Sequence, residues 1–165
     1  MPIDEFRFRQ ALGHFASGVT IVTTAHDSHL YGMTVSSFAS LSLKPPLVLI
    51  CVEHMLSTHT AIADSGQFAV NILEKRQEHL SRRFATRDND KFVGVAWHSS
   101  RFGLPVLEGA LAVIECQLRD TVATGDHSIF VGEVKDAGVA VQPSGRPDDA
   151  TLAMKDLGDK VFYGG

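Results

Sequence analysis

Six consecutive apolar residues, LVLICV (47–52), stand directly behind Pro45-Pro46 and read as a strand covered on both faces. Such a strand needs a second layer or a closed barrel around it. The stretch before it sharpens the constraint. In GMTVSSFASLSLK (32–44), period two puts Met33, Val35, Ser37, Ala39, Leu41 and Leu43 on one face. Thr34, Ser36, Phe38, Ser40 and Ser42 fall on the other. One continuous strand over 32–43 with a hydroxyl-rich face is therefore expected beside a fully buried one.

The remaining pattern is strand-dense. Residues 3–16 (IDEFRFRQALGHFA) space Phe8, Ala11, Leu12 and Phe15 as one helical face, stopped by Ser17-Gly18. VTIVTTAH (19–26) alternates with β-branched residues, and the polar HDSH (26–29) turns it into a hairpin with the 32–43 strand. STHTAIADSG (57–66) predicts a short helix with Ser57 or Thr58 as N-cap and Gly66 as its stop. QFAVNIL (67–73) reads as a strand, and EKRQEHLSRRFAT (74–86) as a helix with Leu80 and Phe84 inward. Residues 98–107 are loop-like. ALAVIECQLRDTVA (110–123) predicts an extended strand and HSIFVGEVKDAGVAV (127–141) one or two more. QPSGRPDDA (142–150) breaks the pattern as a surface excursion, and KVFYGG (160–165) reads as a last short strand. At least six strands, three short helices and no strict β-α-β alternation predict a mainly β fold with short helices, a closed or partly open antiparallel barrel.

Length and charge narrow the function. A chain of 165 residues is expected to form a single domain, 1–165. Its net charge of −4 argues against nucleic-acid binding. Cys51 and Cys116 sit inside apolar runs, far apart, and read as reduced core residues. The apolar runs are too short to span a bilayer, and the N-terminal stretch has no secretory h-region, so a soluble cytoplasmic protein is expected. Rossmann, P-loop and nucleophile-elbow motifs are absent from the sequence. The eight histidines include His26/His29 and His54/His59, but neither pair has close Cys partners, and no metal site is expected.

Four groups of residues carry candidate chemistry. Thr34, Ser36, Ser37 and Ser40 suit a ligand slot, or equally an exposed strand face. Ser57 and Thr58 at a helix start offer hydroxyls and free N–H groups to an anion, or simply cap the helix. Lys75, Arg76, Arg82, Arg83, Arg87 and Lys91 concentrate six of the fifteen Lys and Arg residues, for a phosphate or as a solvated face. His127, in Gly125-Asp126-His127, stands at a strand start, where an imidazole donates or accepts a proton near neutrality or serves the structure alone. Asp126 beside it could influence its charge, although neighbouring side chains on a strand point oppositely.

Taken in order, SGVTIVTT, GMTVSSFASLSLKPPLVLICV, STHTAI, FAVNIL, LSRRFA, DKFVGV, GALAVIEC and GDHSIFVGEV resemble the short-chain flavin reductase family over nearly the whole chain. That family supplies the reductase components of two-component flavin monooxygenases. The resemblance implies an FMN-binding split β-barrel, Greek-key-like and homodimeric. It implies transfer of hydride from NADH or NADPH to FMN or FAD, and delivery of reduced flavin to a partner monooxygenase. It places Met33, Thr34, Val35, Ser36 and Ser37 along the flavin, Cys51, Val52 and Glu53 at its border, and Ser57, Thr58, Arg83, Lys91 and Phe92 around its phosphate. His127 falls on the nicotinamide side, as the catalytic residue, with Phe162 and Tyr163 covering the site. Many relatives close with a Pro-Leu-Leu-Tyr-like strand, whereas here a longer excursion precedes KVFYGG. A flavin-binding electron carrier or redox sensor on the same barrel is the alternative.

Overall fold

The structure, a computed structural model, describes residues 1–140 and 144–158. In chain order the elements are α1 (Glu5–Leu12), β1 (Thr20–His26), β2 (His29–Val35), β3 (Ala39–Leu43), β4 (Pro46–Glu53), α2 (Ser57–Ser65), β5 (Gln67–Ile72), α3 (Glu78–Phe84), β6 (Trp97–Ser99), β7 (Pro105–Leu107), β8 (Ala112–Thr124) and β9 (His127–Val139). Single 3-10 turns occupy Lys75–Gln77 and Met154–Leu157. Seven strands form one antiparallel sheet in the order β2-β1-β5-β8-β9-β4-β3.

That order explains the barrel. β2 and β3 lie at opposite ends of the sheet, yet only Ser36, Ser37 and Phe38 connect them. So short a link forces the sheet to curl until its ends meet. The 32–43 stretch is therefore two strands with a crossing at 36–38, not one continuous strand. Met33 and Val35 point into the barrel, where they join Val22, Val48, Ile50, Val52, Ile62, Phe68, Val70 and Phe130. Burying each of these side chains contributes roughly 1.5–3 kcal/mol against chain entropy.

A second core lies on the outer face of β1 and β5. Val19, Ile21, Leu73, Leu80, Phe84, Leu107 and Leu152 meet there beneath α3. β1 and β5 are consequently the strands buried on both faces. β4 is not: Val48, Ile50 and Val52 are buried, but Leu47, Leu49 and Cys51 between them are only half-covered. The apolar run at 47–52 was expected to be enclosed twice over. α3, the β6–β7 hairpin and residues 151–157 cover β1–β5 instead.

Other expectations shift for local reasons. α1 stops at Gly13 rather than Ser17-Gly18, and Phe8 and Phe15 lie exposed, with no packing on that face among the described residues. Residues 98–107 include a small hairpin, fixed where Asn71 donates to Ile21 O and accepts from Leu107 N, both at 3.0 Å. β9 is a single strand through Val139. The excursion at 142–150 leads into an interior segment. Val19 N donates to Leu152 O, Leu152 N to Leu73 O and Met154 N to Ser17 O, so Leu152 is buried. The expected strand at 160–165 lies outside the described residues.

Candidate active site

The barrel's meeting ends position the candidate residues. At the crossing, Ser37 Oγ accepts from Cys51 N at 3.2 Å and donates to Cys51 O at 3.0 Å. Two residues on, Glu53 pairs in register with His127 at the start of β9. Four residues later α2 begins. Ser37, Cys51, Glu53, His127 and Ser57 thus follow one another around one end of the barrel.

α2 begins without a side-chain cap. Its N-cap is Leu56, not Ser57 or Thr58, and no side chain accepts from its first N–H groups. Gly66 ends it in the left-handed region at φ 70°, as expected. Ser57 is exposed and Thr58 buried. Unpaired N–H groups and the helix dipole make such an end receptive to anions.

The hydroxyls of the sequence motif divide into two kinds. Thr34 donates to Ser81 O at 2.5 Å, tying β2 to α3, and Ser37 is committed to Cys51. Ser36 is half-buried and, among the described residues, makes no side-chain hydrogen bond. Met33, Val35 and Val52 face the barrel core, so only their backbones are available to a ligand.

The basic cluster is largely engaged. Arg76 pairs with Glu74, and Arg82 with Glu78 and Leu157 O. Arg83 donates to the carbonyls of Asp90, Lys91 and Val93, which shapes the loop after α3. Lys91 Nζ donates to Gly32 O at 3.0 Å and Phe84 O at 3.2 Å. Its pKa is pushed down by burial, against an opposing pull from Asp88. Phe92 packs edge-on against Phe84, ring centroids 5.1 Å apart.

His127 is not isolated. Its Nδ1 lies 2.6 Å from Asp126 Oδ1, because Asp126 belongs to the turn, not the strand, and folds back onto the ring. That hydrogen bond holds the Asp126 carboxyl below its usual range. Among the described residues Nε2 of His127 has no hydrogen-bond partner, and the side chain is 40% exposed. Behind it, His54 and His59 converge on Ser128, a cluster no sequence motif announces. A broad cleft of about 1260 Å3 opens on the other side of Ser36 and Ser37, lined also by Phe6, His14, Phe38 and Met154. Cys51, Glu53, Ser57 and His127 lie outside it, on the shelf formed by the barrel end. Phe162 and Tyr163 fall outside the described residues.

Barrel and crossing share the split-barrel architecture of solved flavin reductases. The chain belongs to the Flavin reductase like domain family, whose sequence model matches residues 12–156. It is 48% identical over 136 residues to the reductase component of 4-nitrophenol 4-monooxygenase/4-nitrocatechol 2-monooxygenase of Rhodococcus opacus, covering 82% of this chain and 73% of that protein. Nitrilotriacetate monooxygenase component B from Mycobacterium thermoresistibile matches with a TM-score of 0.82 at 43% identity, over 87% of this chain and 80% of that one. The NADH:FAD oxidoreductase SgcE6 of Streptomyces globisporus, solved with NAD and FAD fragments, gives 0.79 at 41% identity over 82% of each chain. The chain is accordingly an NAD(P)H-dependent flavin oxidoreductase using flavin and nicotinamide nucleotides. Among the described residues no helix is long and apolar enough to cross a membrane.

Proposed function

We propose that this chain binds FMN or FAD across the barrel end, accepts NADH or NADPH beside His127, and releases reduced flavin to a separate monooxygenase. The observation that carries the reading is the sequence of groups from Ser36 through Cys51 and Glu53 to the uncapped start of α2. A flat, polar-edged ring suits the half-exposed Ser36 hydroxyl and the strand backbone, and a phosphate suits the free N–H groups beside Ser57. The flavin, when bound, supplies the hydride acceptor. The chain's own residues bind and orient. Ser37 holds the crossing against β4, Arg83 and Lys91 hold the loop around Phe92, and Asp126 holds the His127 ring with Nε2 outward. His127 positions the nicotinamide by hydrogen bonding, so its contribution is one of orientation.

The half-covered face of β4 and β9, with Leu49, Cys51, Ile129 and Val131, continues onto Val122 of β8. Among the described residues no element packs on it, which supports a homodimer joined through this face. Sedimentation of the purified protein tests that assignment. Reduced nicotinamide as co-substrate supports a cytoplasmic location.

Oxidation of NADH and NADPH, followed at the nicotinamide absorbance band with FMN, FAD or riboflavin varied in turn, tests the reaction. Saturable flavin-dependent consumption is expected. Bound flavin without consumption would instead establish the electron carrier, which the reductase relatives do not favour.

A further inference from the structure

At the barrel end, two imidazoles meet one buried hydroxyl. Ser128 Oγ lies 2.8 Å from His59 Nε2 and 3.0 Å from His54 Nε2, and Ser128 is 2% exposed. His59 belongs to the first turn of α2, and its ring packs against Phe130 with centroids 4.8 Å apart. His54 lies between β4 and α2, and its backbone N–H donates to Asp126 O at 3.0 Å. With one proton, Ser128 donates to at most one ring, so at least one imidazole donates its Nε2–H to Oγ. Burial, and then His54, lower the His59 pKa, which favours its neutral form.

The geometry has a particular consequence. Ser128 and His127 are consecutive on β9 and point to opposite faces of the sheet. Ser128 turns inward to the bridge, and His127 turns outward to the shelf. The same bridge grips the first turn of α2.

We propose that Ser128, with His54 and His59, is a positioning device that sets His127 and the start of α2 as one unit. Both nucleotides are then held from a single buried hydroxyl. The inference rests on the reading of this end as the flavin and nicotinamide site.

Ser128→Ala tests it in the full chain, with KM and kcat measured for NADH, FMN and riboflavin. The KM values for NADH and FMN are expected to rise together by about tenfold, with kcat within about twofold and the KM for riboflavin little changed. A purely structural role would reduce the folded fraction and so apparent kcat, leaving both KM values in place. That outcome, or a rise for one nucleotide alone, overturns the proposal. His59→Leu removes one imidazole without altering β9 and is expected to give the same paired rise. His59→Gln keeps an N–H at similar reach and is expected to restore both KM values to within about threefold of the parent; failure of that rescue also overturns it. A parent chain that oxidises no nicotinamide overturns the underlying reading, and the proposal with it, before any variant is made.

Discussion

Ser37 and Cys51 close the barrel with a pair of hydrogen bonds in which one hydroxyl both accepts from and donates to the same backbone residue. The outer edge of β4 pairs with β3 only over Pro46–Leu49. At Cys51 the Ser37 side chain takes the place of a strand. Ser37→Ala is therefore expected to cost about 1–3 kcal/mol, because it leaves both backbone groups without their partner. Thermal unfolding should show a drop of several degrees in Tm, with weaker flavin binding in a fluorescence titration.

Gly132 stands where β9 passes over the barrel core. A Cβ there would lie 2.6 Å from the Phe68 ring and 2.7 Å from Cys116 Cβ, both buried atoms with no room to retreat. Gly132→Ala should destabilise by roughly 1–3 kcal/mol through overpacking. Denaturant unfolding checks this, with a lower midpoint and an unchanged slope as the expected result.

His59 makes stability depend on pH. Its pKa lies below 6.5 in the folded chain, through burial first and the neighbouring His54 second. As pH falls through 6.5 the unfolded chain takes up the proton first, so stability is lost from there down to the lowered value and no further. The fall in Tm below pH 6.5 should be smaller in His59→Gln.

Ser57→Asp separates helix stability from ligand binding. A carboxylate in the first turn complements the dipole and favours α2 by about 0.3–1 kcal/mol. The same charge repels a phosphate at that end, so the KM for FMN should rise by about tenfold or more while that for riboflavin stays. Steady-state kinetics with both flavins reads the difference, and an equal effect on the two would remove the phosphate from this site.

His127→Ala removes the ring that Asp126 orients. Flavin affinity should persist, and the KM for NADH should rise or kcat fall by about 10- to 100-fold. Unchanged kinetics would exclude His127 from nicotinamide binding.

Much of this molecule was legible in its residues. The strands at 19–26 and 67–73, the Gly66 stop and the inward Leu80 and Phe84 were legible from residue pattern and glycine chemistry. What misled was local context. Pattern cannot reveal that Ser36–Phe38 joins opposite ends of a sheet, because that depends on which strands pair far away in sequence. For the same reason the LVLICV run suggested two covered faces, while α3 and Leu152 cover β1 and β5. Arg83 and Lys91 look like free cations in a list of charges, yet backbone carbonyls claim them. The His54–His59–Ser128 meeting brings together residues about seventy positions apart, and only the β4–β9 register unites them.

Leu152 completes the second core, between Val19 near the beginning of the chain and Leu73 in its middle. β1 is laid down early in synthesis, but the cover of its outer face stays incomplete until Leu152 clears the ribosome. Such long-range closure is slow and keeps apolar surface waiting. A chain stopped before this residue is therefore expected to leave Val19 and Leu73 exposed and to aggregate rather than fold as a smaller enzyme.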